Sequence, residues 1–181
     1  MEIDNLLENN RHFVTTEGSL NHNTDSGIPS KSVLLLACMD TRLSVMLPDA
    51  LGIVNGECKV VKVAGGVVLD DYGSVMRSII IGIYELGVRE IMVIHHTDCG
   101  AGKMHGEHML HLIHERISQQ EIDEAALTVD LDQWLNGFGD TTNSVKATVR
   151  RIRKHPLVPH DVVVRGFIIN SQTGELTEVE V

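Results

Sequence analysis

Four short apolar runs, separated by segments with helical character, most constrain how this chain of 181 residues can fold. The runs span 32–40, 59–68, 89–96 and 161–170 and are rich in Val, Ile and Leu. Runs this apolar favour strands that are buried on both faces, as in a parallel sheet covered by helices. The sequence therefore predicts an α/β fold with a mostly parallel β-sheet flanked by helices.

The segments around these runs carry the signals of helices and of one final turn. An acidic start and a glycine stop predict a helix over 70–87, and a terminating proline predicts another over 141–155. A further helix is expected over 4–13, near the start of the chain. Thr173 and Gly174 separate two extended pieces, which predicts a hairpin-like finish.

Length and composition set the expected domain organisation. The chain is 43% hydrophobic and 22% charged, which fits a single domain over residues 1–181 with a substantial core. The polar segment 17–32 is expected to be a loop within that domain. No internal repeat or low-complexity tract divides the sequence.

Charge and cysteine content indicate which kinds of partner the protein is expected to bind and in which cellular compartment it is expected to lie. The formal net charge is −10, and the one basic cluster, at 150–155, has the spacing of a cationic helix end rather than of a nucleic-acid surface. The first residues lack the apolar core of a signal peptide, and no apolar run approaches the length of a membrane span. The three cysteines form no C-x-x-C pair, which is typical of thiols in a reducing compartment. We therefore expect a cytoplasmic protein that binds neither nucleic acid nor membrane.

Residues that could bind a metal or a substrate lie at or just after the ends of three of the four predicted strands. In chain order they are Cys38, Asp40, Arg42, Gly65, Gly66, His96 and Cys99. Because ligands bind to parallel α/β sheets at the carboxyl ends of the strands, we expect these residues to converge on one site.

The two cysteines and the histidine form the sharpest pattern. Two thiols and one imidazole suit Zn²⁺, and three protein ligands leave one position for water, as in catalytic zinc sites. His96 and Cys99 are three residues apart, a distance that one tight turn can close. Because side chains alternate along a strand, His95 should point away from the face of His96. The alternative is that Cys38 and Cys99 are ordinary buried side chains.

The other strand-end residues have both functional and ordinary interpretations. If the chain is still extended after the first strand, Asp40 and Arg42 point the same way, and the guanidinium holds the carboxylate ionised and oriented. The alternative is a surface ion pair that contributes little to stability. Gly65 and Gly66 would let the backbone approach a ligand, although glycines are also common in turns.

Four further histidines recur at every third position, at His105, His108, His111 and His114. On a helix such a row drifts around the surface, so exposed side chains are expected rather than a second metal site. Cys58 belongs to no motif and is expected to be structural.

Four segments together resemble the β-class carbonic anhydrases, in the short microbial branch of that family: ACMDTRL, VAGGVVLDD, REIMVIHHTDCG and VRGFI followed by TGEL. They occur in the same order and span 32–176. The resemblance implies a parallel-centred α/β fold and an active site at a dimer interface, hence at least a homodimer. Two positions depart from the common pattern: Lys62 and Val63 stand where Arg-Asn is usual, and Thr41 replaces a small residue.

By this resemblance, Cys38, His96 and Cys99 match the family's zinc ligands, and Asp40 with Arg42 matches its catalytic dyad. The resemblance implies an enzyme in which zinc-bound hydroxide converts CO₂ reversibly to bicarbonate. Asp40 would either accept a hydrogen bond from that hydroxide or, as in some family members, occupy the fourth position on zinc and switch the enzyme off.

The expected roles of the remaining groups follow from this chemistry. The amides around Gly65 and Gly66 would receive a bicarbonate oxygen, and apolar residues near Val67 would hold CO₂. His95 or the later histidines are candidates to carry the released proton. Two alternatives to CO₂ hydration stay open: hydrolysis of carbonyl sulfide or carbon disulfide on the same zinc site, as in close relatives, and a non-catalytic zinc-binding homologue.

Overall fold

The structure, a computed structural model, describes residues 2–16 and 26–181. The strands are β1 (Val33–Cys38), β2 (Lys59–Val63), β3 (Glu90–His96), β4 (Val163–Ile169) and β5 (Leu176–Val179). The helices are α1 (Glu2–Thr15), α2 (Leu43–Leu51), α3 (Ser74–Tyr84), α4 (Gly106–His114), α5 (Gln119–Ala126), α6 (Leu131–Leu135) and α7 (Thr141–Lys154). All four apolar runs therefore contain strands. The loop predicted at 17–32 lies outside the described residues as far as residue 25, and 26–32 contain neither helix nor strand.

The five strands form one sheet in the order β2-β1-β3-β4-β5. The first four are parallel to one another, and only β5 runs antiparallel, beside β4. The register pairs Ala37 with Ile94, so Cys38 lies level with His95, one residue before His96. The predicted mostly parallel sheet is confirmed, and its register brings the ends of β1 and β3 to the same edge.

Both faces of the sheet are buried, as the apolar runs predict. Leu34 and Leu36 of β1 pack into a core shared with α3 and α7. Leu35 and Ala37, which alternate with them, pack into a second core that includes Leu43 of α2. This arrangement explains why β1 has no polar residue until it reaches the edge that carries the candidate site.

Some predicted boundaries differ from the observed ones for local reasons. β2 ends at Val63 rather than 68, because the chain then turns through Gly65 and Gly66, whose φ angles are +72° and +70°. α3 begins at Ser74 rather than 70, because Gly73 donates its N–H to the Asp70 carbonyl and closes a turn first.

The two ends of the chain and the basic cluster have simple structural explanations. The predicted final hairpin is present as β4 and β5, with Gly174 at a φ of +76°. The cationic end predicted for α7 is confirmed, and Arg153 donates to the Val164 carbonyl at 3.1 Å. α1 buries none of its residues against the rest of the described chain. Among residues 2–16 and 26–181, no helix combines the length and the apolar character needed to cross a membrane.

Candidate metal centre

The ends of β1 and β3 bring two sulfurs and one nitrogen together. Cys38 is the last residue of β1, His96 is the last residue of β3, and Cys99 follows one turn later. Their ligand atoms all lie within 4.8 Å of one another, and the two Sγ atoms are 3.8 Å apart. All three residues are buried. The three predicted ligands therefore form one cluster.

A left-handed residue makes this cluster geometrically feasible. Asp98 has a φ of +54°, and this conformation reverses the chain so that Cys99 returns towards His96. The turn is anchored to the end of β4, because Ser171 donates its N–H to Thr97 Oγ1 and its hydroxyl to the Thr97 carbonyl, both at 3.0 Å.

The imidazole of His96 is oriented as a ligand. Its Nδ1–H donates to the Thr97 carbonyl at 2.9 Å, which leaves the lone pair on Nε2. Metal-binding histidines commonly make this second hydrogen bond. Nε2 is buried and has no hydrogen-bond partner in the described part of the chain. An unsatisfied buried acceptor is costly, so this atom calls for a partner such as a metal ion.

The two cysteines differ in their readiness to lose a proton. Burial raises the pKa of the Cys38 thiol, but the His96 side chain and the backbone at Asp40 and Gly65 outweigh it, so the pKa falls to about 7. Burial, and then the charge of neighbouring Cys38, raise the pKa of Cys99. Because metals bind thiolates, Cys38 is available as a ligand close to neutral pH, and an ion would compensate the cost of ionising Cys99.

This donor set fits Zn²⁺. Sulfur and imidazole nitrogen are the donors that zinc takes in proteins, usually in a tetrahedron of four ligands. Cys38, His96 and Cys99 supply three of them, and the orphaned Nε2 of His96 belongs to the cluster. The cluster is therefore compatible with Zn²⁺ and supplies three of the four ligands that zinc usually takes.

Asp40 and Arg42 meet through a turn, so the assumption of an extended chain is wrong. Helix α2 begins directly after Arg42, and Asp40 Oδ1 accepts the Arg42 backbone N–H at 2.9 Å. The guanidinium also donates hydrogen bonds to both carboxylate oxygens, from Nε to Oδ1 at 3.0 Å and from Nη2 to Oδ2 at 2.8 Å. This paired hydrogen bond holds the pKa of Asp40 well below its usual range, so the carboxylate is ionised.

The carboxylate lies beside the donor set without belonging to it. Asp40 Oδ2 is 3.7 Å from His96 Nε2. Both of its oxygens already accept from Arg42, and the cluster of mutually close ligand atoms comprises only the cysteines and the histidine. The Asp40 carboxylate thus lies next to the ligand atom of His96.

The turn Ala64–Gly66 packs closely against the backbone at the end of β1, next to the donor set. A Cβ on Gly66 would lie 3.0 Å from the Cys38 nitrogen and 3.1 Å from the Ala37 carbonyl carbon. The Gly65 backbone also contributes to the lowered pKa of the Cys38 thiol. The positive φ angles and the close contacts together require glycine at both positions. That these amides also receive bicarbonate stays a prediction.

His95 points to the opposite face from His96, as strand alternation predicts. It is fully buried, and its Nε2 and the Gly66 carbonyl are 3.2 Å apart, so the ring donates to the turn Ala64–Gly66. Burial lowers the pKa of His95 to about 4. The ring is therefore neutral near pH 7 and engaged in a hydrogen bond, which disfavours it as a proton carrier.

The remaining histidines and Cys58 have ordinary surroundings. His105, His108, His111 and His114 are all exposed, which confirms the interpretation of that row. Cys58 is a free, half-buried thiol whose pKa is raised by burial.

Two residues close to the site were not singled out from the sequence. Asp98 has the left-handed conformation in the turn, and its carboxylate accepts a hydrogen bond from Lys103 Nζ. Phe138 packs against Gly65 and Gly102. A signal for Phe138 does exist, because a large aromatic residue stands between two glycines in a chain with only three phenylalanines.

A cavity of about 250 Å³ opens beside the turn Ala64–Gly66. Val67, Ala101, Trp134 and Phe138 are among the residues that line it. Asn136 is the one polar side chain in its lining. An uncharged molecule would therefore find apolar surface next to the donor set.

Comparison with known proteins agrees with this architecture over nearly the whole chain. A sequence model of the carbonic anhydrase family matches residues 33–176. Beta-carbonic anhydrase 1 of Mycobacterium tuberculosis is 37% identical over 151 residues, which cover 83% of this chain and 83% of that protein. Carbon disulfide hydrolase of Acidithiobacillus thiooxidans is 31% identical over 163 residues, which cover 83% of this chain and 78% of that protein.

A solved structure gives the same result in three dimensions. The crystal structure of a beta-carbonic anhydrase from Trichomonas vaginalis superposes with a TM-score of 0.88 at 28% identity, over 99% of this chain and 97% of that one. The parallel sheet, the cluster of two cysteines and one histidine at its edge, and the relatives all lead to one assignment. The chain belongs to the β-carbonic anhydrase family.

Proposed function

We propose that this chain is a zinc-dependent carbonic anhydrase that converts CO₂ and water reversibly into bicarbonate and a proton. The observation that carries the proposal is the ionised Asp40 carboxylate, which Arg42 holds 3.7 Å from His96 Nε2. A purely structural zinc site has no use for an open position or for an oriented carboxylate beside it.

The residues that would hold the metal are Cys38, His96 and Cys99, because their ligand atoms already lie within 4.8 Å of one another. When bound there, Zn²⁺ would supply a Lewis acid that lowers the pKa of water and so makes it a better nucleophile. Because two thiolates would offset the charge of the ion and weaken it as a Lewis acid, the reaction would also need neighbouring side chains to orient the nucleophile.

Asp40 supplies that orientation. Its carboxylate accepts a hydrogen bond from the attacking solvent molecule and so directs a solvent lone pair at the carbon of CO₂. Arg42 keeps the carboxylate ionised and fixes both of its oxygens. The same engagement favours Asp40 as a hydrogen-bond acceptor over Asp40 as a fourth metal ligand, since Arg42 fixes both oxygens and leaves Oδ2 3.7 Å from His96 Nε2.

The groups around the turn Ala64–Gly66 would handle substrate and product. The amides of Gly65 and Gly66 are proposed to receive the oxygen on which negative charge develops. Val67 and the apolar cavity next to it would contact uncharged CO₂. The exposed histidines of 105–114 are the better candidates to pass the proton to buffer, because His95 is buried.

A second candidate function is hydrolysis of carbonyl sulfide or carbon disulfide. It is favoured by the similarity to carbon disulfide hydrolase of Acidithiobacillus thiooxidans and by the apolar cavity, which would admit a larger uncharged substrate than CO₂. The donor set and the Asp40–Arg42 pair would serve the same roles in that reaction.

The two functions are separated by paired rates on one zinc-loaded preparation. Stopped-flow CO₂ hydration is compared with sulfide release from carbonyl sulfide and carbon disulfide. The carbonic anhydrase proposal predicts fast CO₂ hydration and little sulfide. Efficient sulfide release with slow CO₂ hydration would replace it with the second candidate, and no turnover of any substrate would leave a non-catalytic zinc protein.

We also propose that the active form is a homodimer or a higher homo-oligomer. α1 is amphipathic, and its Ile3, Leu6 and Leu7 are each more than half exposed, with none of the residues of the helix buried. A second copy that covered this face would remove it from water. We further propose that residues 1–181 act as a single cytoplasmic domain whose partners, besides its own copies, are small molecules.

A further inference from the structure

The ring of Phe138 fills the gap between the two turns that flank the donor set. Its Cε1 is 3.0 Å from the point where a Cβ on Gly65 would stand, and its Cε2 is 2.9 Å from the corresponding point on Gly102. The ring centroid is also 5.4 Å from that of His95, at a tilt of 32°. One side chain therefore contacts the turn Ala64–Gly66, the turn Gly100–Gly102 and strand β3.

These two turns lie directly against the two cysteines. A Cβ on Gly66 would lie 3.0 Å from the Cys38 nitrogen, and Gly102 donates its N–H to the Cys99 carbonyl at 3.2 Å. Groups that contact metal ligands orient them and contribute to metal affinity. The separation of the two turns therefore affects how both cysteines are held.

Phe138 is itself held firmly by the backbone. Its N–H donates to the Ala101 carbonyl at 3.3 Å, and the N–H of Gly137 donates to the Met104 carbonyl at 3.0 Å. A Cβ on Gly137 would lie 2.2 Å from the Ala101 oxygen, so the chain passes too closely there for any other residue. The ring therefore has a fixed base from which to support the turns.

On its outer side the ring borders the apolar cavity of about 250 Å³. A smaller side chain at position 138 would enlarge this cavity. The two turns would then lose their common support, and the positions of Cys38 and Cys99 would be less well fixed.

We propose that Phe138 is a positioning residue of the metal site, which holds the two turns at the separation that keeps them packed against Cys38 and Cys99 and thereby strengthens zinc binding. The inference rests on the proposed zinc site. It assigns Phe138 no contact with substrate, and its first effect is therefore on metal affinity and only secondarily on turnover.

The direct test is the zinc affinity of Phe138→Leu and Phe138→Ala, measured by competition with a chromophoric chelator. We expect affinity to fall about tenfold for Leu and up to about 100-fold for Ala, the range typical of residues that support metal ligands. Phe167→Leu is the matched control. Phe167 is a buried phenylalanine of β4 in the same core, so its replacement should lower the free energy of unfolding and leave zinc affinity unchanged.

A second variant tests the contact itself. Gly102 does not have a positive φ, so alanine fits its backbone conformation, but the new methyl group would lie 2.9 Å from the Phe138 ring and 3.2 Å from the Gly139 carbonyl oxygen. We expect Gly102→Ala to weaken zinc binding in the wild-type background and to do so less in the Phe138→Leu background, where the ring is gone. Additive effects of the two changes would contradict the contact.

The outcomes separate this inference from the function on which it rests. Wild-type protein that binds no zinc would overturn both. Wild-type protein that binds zinc and hydrates CO₂, together with unchanged affinity in Phe138→Leu, would overturn the inference alone. Equal loss of zinc affinity in Phe167→Leu would also overturn it, because the effect would then be general loss of folding stability.

Discussion

The guanidinium of Arg42 donates a hydrogen bond from Nη2 to the main-chain carbonyl of Asp98 at 3.1 Å. The same nitrogen donates to Asp40 Oδ2 at 2.8 Å. Arg42 therefore ties the carboxylate that follows β1 to the turn between His96 and Cys99. The position of the carboxylate relative to the donor set is set by this bridge and not by the cysteines themselves.

Replacement of Asp40 by Asn tests the role of the carboxylate. Asn keeps the shape of the side chain but accepts hydrogen bonds less strongly and is not charged, so the nucleophile would be poorly oriented. We expect CO₂ hydration to fall about 10- to 100-fold at unchanged zinc content. Asp98→Asn is the control, because Asp98 is also an acid beside Arg42, but its Oδ2 is 3.8 Å from the guanidinium and its side chain is mostly exposed. Equal losses of CO₂ hydration in Asp40→Asn and Asp98→Asn would contradict a specific role of Asp40 in orienting the nucleophile.

Replacement of Cys99 by Ser tests the ligand assignment. The hydroxyl is a far weaker ligand for zinc than a thiolate, and only two strong donors would remain. Zinc affinity should fall by more than the roughly 10- to 100-fold typical of supporting residues. Cys58→Ser, which changes a free thiol outside the cluster, should retain one zinc per chain. Full zinc occupancy in Cys99→Ser, by metal analysis after dialysis, would refute the assignment.

Replacement of Gly66 by Ala tests the close approach of the turn to β1. The φ of +70° costs about 1–2 kcal/mol in an alanine, and the contact at 3.0 Å with the Cys38 nitrogen adds an overpacking cost of about 1–3 kcal/mol. Gly174→Ala is the control, because Gly174 has a similar φ of +76° but an added Cβ there would make only ordinary contacts, the nearest at 3.5 Å. Chemical denaturation should therefore show a clearly larger loss of unfolding free energy for Gly66→Ala. Similar losses for the two variants would mean that the contact with β1 is relaxed in solution.

Replacement of Leu6 by Glu tests whether α1 takes part in the proposed oligomer. Leu6 is 65% exposed in the single chain, and a charge there would be buried in an interface that α1 forms. We expect the dissociation constant of the oligomer to rise at least about tenfold in sedimentation experiments. Asn5→Glu places the same charge on the opposite, polar side of α1 and should leave assembly unchanged. An oligomer unaffected by Leu6→Glu would exclude α1 from the interface.

The sequence was sufficient for the features that depend on local patterns. Uninterrupted apolar runs indicate strands buried on both faces, and alternation alone separates His95 from His96. Helix α7 is predicted to within one residue at its end, because Pro156 closely follows it. The convergence of Cys38, His96 and Cys99 follows from a rule of parallel sheets rather than from any one residue.

Features that depend on contacts between distant segments were not predictable in this way. Helix α2 contains Pro48 and has no side-chain cap at its start, so it lacks the usual local signals. The left-handed Asp98 gives no signal of its own, since aspartate occurs in many kinds of turn. The packing of the Phe138 ring depends on Gly65 and Gly102, which are both more than 30 residues away in sequence. Only the folded chain brings these residues together.

X-ray absorption at the zinc edge of the zinc-loaded protein tests the central claim most directly. If Cys38, His96 and Cys99 hold one ion with a position left for solvent, each chain binds one zinc. The spectrum should then contain two sulfur neighbours at about 2.3 Å and two nitrogen or oxygen neighbours at about 2.0–2.1 Å. A zinc shell without sulfur, or one with three or more sulfur neighbours, would contradict the account.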